Sequence, residues 1–96
     1  MYGFMRWLGR RSRHKFWPEG KQVTLAQMQN SQSGVVVEIR GGHGMVNRLS
    51  ALGIRPGKRI TKLGGGFMRG PVTVQVDRAQ VAIGFGMARR IILEPD

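Results

Sequence analysis

Two histidines, five carboxylates and no cysteine are what this chain of 96 residues offers to acid–base, nucleophilic or metal chemistry. A catalytic site needs a nucleophile, an acid/base pair or a metal held at fixed distances, and that supply is thin. His14 and His43 stand far apart, Glu94 and Asp96 lie at the terminus, and Glu19, Glu38 and Asp77 are scattered. No His/Asp/Ser grouping at a recognisable motif can be assembled, so the sequence predicts a protein that is not an enzyme and uses no cofactor. Without cysteine, disulfides and thiolate metal sites are excluded, and a reducing compartment is compatible. His43, inside the glycine-rich "GGHG", is a weak candidate for a metal ligand; the plainer reading is a solvated turn residue. The stretch "GGGFMRG" (64–70) has neither GxGxxG spacing nor a following GK[ST]. A hairpin loop is the better reading than a phosphate cradle.

Positive charge is what the chain has in quantity. A formal net charge of +11 attracts an anionic surface, whether nucleic acid, acidic lipid or an acidic protein face. Residues 1–21 hold Arg6, Arg10, Arg11, Arg13, Lys15 and Lys21 against Glu19 alone, together with five of the seven aromatic residues. Gly3, Gly9 and Pro18 interrupt any helical spacing there, so residues 1–22 are predicted to be a flexible basic and aromatic extension. Its plain reading is a variable tail. The sharper one is an interfacial anchor made by Trp7, Arg10, Arg11, Phe16 and Trp17 on an anionic membrane, where each basic residue contributes about 1 kcal/mol. No apolar run approaches the roughly 20 residues that span a bilayer, and no secretory h-region opens the chain. A soluble cytoplasmic protein, or one peripheral at the inner face of the membrane, is the expectation.

Residues 23–96 form the second zone, rich in Val, Ile and Gly, and are expected to make one domain. "GVVVEIR" (34–40), "GKRITKL" (57–63), "PVTVQV" (71–76), "QVAIG" (80–84) and "RIILE" (90–94) read as short strands separated by polar or glycine-rich turns. A mainly β fold follows, expected to be a small antiparallel barrel, because closure covers both edges and one apolar face in so short a chain. Val72, Val74 and Val76 should point inward and Thr73 and Gln75 outward, with "DRAQ" (77–80) as the hairpin turn. Between the first two of these strands, Met45, Leu49 and Leu52 recur at helical spacing beside Val46 and predict a short helix packed over an open end. Gly53 suits the left-handed residue that stops a helix, and Pro56-Gly57 suits a type II turn into the next strand.

"RLSALGIRPG" (48–57), with "GPV" (70–72) and "VAIGFGMARRI" (81–91), resembles the ferrous iron transport protein A family, FeoA. The resemblance covers residues 23–94 and implies an SH3-like barrel with a helical insertion. It also implies a non-enzymatic cytoplasmic accessory that binds and modulates FeoB, the membrane ferrous iron transporter with a cytosolic GTP-binding domain. The same fold serves as the C-terminal module of iron-dependent repressors; a standalone adaptor is the expectation here. The contact face for that partner is expected around Leu52, Ile54 and Pro56, which set a corner, and Arg48, Arg55, Lys58 and Arg59, which display charge on it. Phe67 and Met68 would add an apolar anchor. The plain reading of the leucines is core packing. A rival reading, a nucleic-acid-binding or iron-linked regulatory module, needs aromatic stacking platforms, and beyond residue 17 only Phe67 and Phe85 are present. Exposed strand edges leave a homo-oligomer open.

Overall fold

A computed structural model of the chain describes residues 21–96. The proposed membrane anchor residues Trp7, Arg10, Arg11, Phe16 and Trp17 lie outside the described residues. Six strands, β1 (Val23–Thr24), β2 (Ser33–Ile39), β3 (Arg59–Gly65), β4 (Val72–Val76), β5 (Ala79–Ile83) and β6 (Ile91–Pro95), pair antiparallel in one sheet of order β1-β6-β2-β3-β4-β5. Helix α1 (His43–Ala51) joins β2 to β3, and the single turn α2 (Phe85–Ala88) joins β5 to β6. All five anticipated strands form. The two-residue β1, too short to show a period, precedes them and pairs with Ile92 and Leu93 of β6.

The expected closure into a barrel is not observed. β1 and β5 are the outer strands of the sheet, and closure would require them to pair with each other. Instead the sheet curls through two irregularities, one in the β2–β6 register between Val36 and Glu38 and one in the β3–β4 register between Lys62 and Gly64. An extra residue bends a strand and is left out of the ladder. Val37 and Leu63 occupy those two positions, and both are partly exposed apolar side chains.

The concave face holds the core. β4 alternates as its sequence predicts, with Val72, Val74 and Val76 buried and Thr73 and Gln75 half-buried on the other side. Leu25, Val36, Ile60, Ile91 and Leu93 complete the sheet's share, and Leu49 and Ile54 arrive from the α1 connection. Leu25 is brought in by a 3₁₀ turn (Leu25–Gln27) whose start is fixed by reciprocal bonds: Thr24 Oγ1 accepts from the Gln27 amide at 3.2 Å, and Gln27 Oε1 accepts from the Thr24 amide at 2.9 Å.

Helix α1 ends in a Schellman reversal. The Ile54 amide donates to the Leu49 carbonyl and the Gly53 amide to the Ser50 carbonyl, each at 2.9 Å, with Gly53 at φ +89°. Leu49 and Ile54 pack together beneath the turn with no exposed surface. The type II turn follows directly: Lys58 N–H donates to Arg55 C=O at 3.0 Å, and Gly57 takes φ +93°. One expectation fails here. Leu52 does not continue the buried stripe, because the helix stops at Ala51; Leu52 takes the cap position and leaves 40% of its surface exposed while Ile54 fills the core place.

Candidate functional site

The residues expected to meet a partner do not form one patch. β3 separates them: Arg48, Leu52, Arg55, Pro56 and Lys58 precede it, while Phe67 and Met68 follow it. Six residue steps from Arg59 to Gly65 at about 3.3 Å each place the two groups roughly 20 Å apart, at opposite ends of the strand.

At the first end, charge and burial redistribute the roles. Ile54 is wholly buried, so it holds the corner and touches no partner. Lys58 Nζ donates to Asp77 Oδ1 at 2.6 Å, which ties the corner to the β4–β5 turn. Arg59 is engaged with Asp96, its Nε donating to Oδ2 at 3.0 Å; the hydrogen bond first and the carboxylate's charge second raise the guanidinium's already high pKa. Arg48, Arg55 and Pro56 are exposed. Three further arginines share this end without having been expected there. Arg78 lies in the two-residue turn between Val76 and Ala79, and Arg89 and Arg90 precede β6, where the Arg40 amide bonds the Arg90 carbonyl at 2.8 Å. Arg48, Arg55, Arg78, Arg89 and Arg90 make no side-chain hydrogen bond or ion pair among the described residues. The acids that reach this end, Glu38, Asp77 and Asp96, are already matched, to Arg40 at 3.5 Å, to Lys58 and to Arg59.

The far end is tightly built and carries Phe67, Met68 and an exposed Arg69. Gly65, Gly66, Met68 and Arg69 all take left-handed torsions, with φ of +97°, +83°, +52° and +63°. The turn is closed by Gly66 N–H to Pro71 C=O at 2.9 Å, Arg69 N–H to Gly66 C=O at 3.1 Å and Gly70 N–H to Phe67 C=O at 2.9 Å. A left-handed methionine and arginine in succession cost on the order of 1 kcal/mol each. What that backbone achieves is display: Phe67 and Met68 are each 84% exposed at the tip. Phe85, the other aromatic residue of this domain, is half-buried.

Lys62 escaped the sequence reading. It is 4% exposed, and its ammonium donates to the carbonyls of Met28 at 2.7 Å and Ala26 at 3.2 Å, the trailing carbonyls of the 3₁₀ turn. Burial pushes its pKa down from the ordinary lysine value. The period was the available signal, since Ile60 and Lys62 stand two apart on one strand and must share a face. His43 opens α1 on the surface, and no three His, Cys, Asp or Glu side chains gather into a metal-binding group among the described residues.

A fold of this kind is shared with known proteins. The chain is similar to a crystal structure of an iron uptake regulatory protein (FeoA), with 33% identity and a TM-score of 0.72 over 79% of this chain and 99% of that one. It is similar in fold to the FeoA protein from Chlorobium tepidum, at 17% identity and a TM-score of 0.68 over 75% of this chain and 69% of that one. A manganese-dependent transcriptional repressor in complex with manganese matches at 22% identity and a TM-score of 0.73, over 82% of this chain and 39% of the repressor. The chain therefore spans well under half of that repressor's length. A comparison with curated proteins found no match. The family model of the FeoA domain matches residues 23–95, from the first residue of β1 to the last of β6, and the chain belongs to the FeoA family.

Proposed function

We propose that this protein is a non-enzymatic accessory of ferrous iron uptake that docks on the cytoplasmic region of a FeoB-type GTP-binding transporter and modulates it. Membership of the FeoA family implies involvement in ferrous iron transport. The observation that carries the docking step is the tip of the β3–β4 connection, where a strained, internally bonded turn holds Phe67 and Met68 in water. An aromatic and a thioether side chain kept exposed at a backbone cost are the composition of an interface anchor. The crystal structure of similar sequence is of an iron uptake regulatory protein, which supports modulation as the outcome of docking. No helix among the described residues is long and apolar enough to cross a membrane.

The test is recovery of the transporter from detergent-solubilised native membranes by the tagged full chain. The unaltered protein should retain it. The double substitution Phe67→Ser with Met68→Ser should lose it while unfolding at an unchanged temperature. Recovery of nucleic acid with no transporter would sink the proposal, and equal recovery by the double variant would remove the tip from it.

A further inference from the structure

We infer that the arginine-bearing end of the sheet, opposite the Phe67–Met68 tip, is a docking surface for anionic phospholipid headgroups. The inference goes beyond docking on a transporter and stands whether or not the tip binds one.

Three connections reach that end of the strands. The β2–β3 connection brings Arg48 on α1 and Arg55 at the turn, the β4–β5 turn brings Arg78, and the crossing from β5 to β6 delivers Arg89 and Arg90. Two contacts hold the first two connections together: the Lys58–Asp77 ion pair, and the approach of Val76 to Gly53, whose added Cβ would lie 3.1 Å from Val76 Cγ1. The third is held by the Arg40 amide on the Arg90 carbonyl. All five arginines are exposed, and the acids that reach this end, Glu38, Asp77 and Asp96, are spent on Arg40, Lys58 and Arg59. A cluster of like charges left without internal carboxylates repels itself, and an external anion relieves that repulsion.

The unmatched cations are guanidiniums. Each presents a planar fork of N–H donors that fits phosphate oxygens in pairs, whereas lysine acts as a point charge. Phosphate is offered both by nucleic acid and by lipid, and the composition of this end favours lipid. Single-strand readers stack bases on aromatic side chains, and Phe67 lies at the other end of the domain, with Phe85 half-buried where β5 runs out beside the start of β4. Groove readers present a helix with several base-directed side chains, and α1 is nine residues long with one arginine on it. Five arginines from separate connections, with no stacking surface among them, match a fluid array of headgroups that needs charge and no register. Each cation near an anionic leaflet is worth about a fivefold gain in binding, so removing three should cost on the order of a hundredfold.

The experiment is co-sedimentation of the full chain with vesicles of phosphatidylcholine alone and of phosphatidylcholine mixed with phosphatidylserine, across a salt series. Two triple variants with equal loss of charge are compared: Arg55→Gln with Arg78→Gln and Arg90→Gln, and Arg6→Gln with Arg10→Gln and Arg11→Gln. Binding should need phosphatidylserine, weaken with salt, and fall about a hundredfold in the first triple but much less in the second. All three positions of the first triple are exposed, and its melting temperature should match that of the unaltered protein. Equal losses in the two triples would overturn the inference by reducing it to net charge, as would unaltered binding by the first. Loss of vesicle binding in the Phe67→Ser, Met68→Ser variant would overturn it by moving the contact to the other end. A single-stranded oligonucleotide that strips the protein from vesicles at equal phosphate would overturn it in favour of nucleic acid.

Discussion

Replacing Gly53 with alanine should cost more than replacing Gly57, although the two glycines have nearly the same backbone. Their φ angles are +89° and +93°, so each substitution forces an L side chain into the left-handed region at roughly 1–2 kcal/mol. The surroundings differ. A Cβ at Gly57 meets nothing within 4 Å, whereas one at Gly53 lies 3.1 Å from Val76 Cγ1, and Val76 is packed in the core at 3% exposure. Val76 must then give by a few tenths of an ångström, at a cost of about 1 kcal/mol, the low end for overpacking. Gly53→Ala should lose about 2–3 kcal/mol, or roughly 10–20 °C of melting temperature for a domain of this size, and Gly57→Ala about half of that. Thermal and urea unfolding followed by circular dichroism would measure both. Adding Val76→Ala should separate the two costs: in the Gly53→Ala background its own penalty should shrink by about 1 kcal/mol, the coupling expected of side chains in contact. Equal losses at the two glycines, or a Val76→Ala effect that is additive with Gly53→Ala, would refute the reasoning.

Leu49→Ala should destabilise by about 2–5 kcal/mol because its side chain is wholly buried, and Leu52→Ala, 40% exposed, by less than about 1 kcal/mol, read from the same denaturant curves. Phe67→Ser and Met68→Ser should each change stability by no more than about 0.5 kcal/mol, yet weaken transporter binding by up to about 2 kcal/mol, near thirtyfold, in a calorimetric titration. Lys62 makes stability depend on alkaline pH. Its folded pKa lies below the unfolded value of 10.5, so between the two the unfolded chain binds more protons and stability rises with pH; below the folded pKa both states are charged and the slope vanishes. Unfolding measured from neutral pH to about 10.5 should show that rise relative to Lys62→Met, and identical slopes in the two proteins would remove it.

Much of the fold could be read in the sequence because the strands are short and well punctuated. "RLSALGIRPG" predicted a helix stop, a glycine in the left-handed position and a proline-glycine reversal, and the bonds from Gly53, Ile54 and Lys58 form that corner. Alternation placed Val72, Val74 and Val76 inside. Closure was not legible, because whether β1 meets β5 depends on how far the sheet curls, and the curl comes from irregularities at Val37 and Leu63 that no residue type announces. The stripe misplaced Leu52 for a related reason: helical spacing continues on paper past the residue where Gly53 ends the helix.

Which residues share a surface was less legible than which residues form an element, and the cause lies in connectivity. In a simple meander, successive connections alternate between the two ends of a sheet, so the β2–β3 and β4–β5 links must share an end and the β3–β4 link must take the other. That parity alone separates Arg48, Arg55 and Arg78 from Phe67 and Met68; of these, the sequence reading sets Arg48 and Arg55 beside Phe67 and Met68 as contact residues and does not include Arg78. β5 and β6 break the parity. Both run toward the Phe67–Met68 end, so the chain between them crosses the length of the domain through α2 and returns Arg89 and Arg90 to the basic end. Periodicity cannot report that crossing, because it depends on β6 inserting between β1 and β2. On the two proposals made above the separation has a functional reading: an exposed Phe67–Met68 tip about 20 Å from an unmatched arginine surface would let the domain meet a protein and an anionic bilayer at once, whereas one contact patch would force a choice between them.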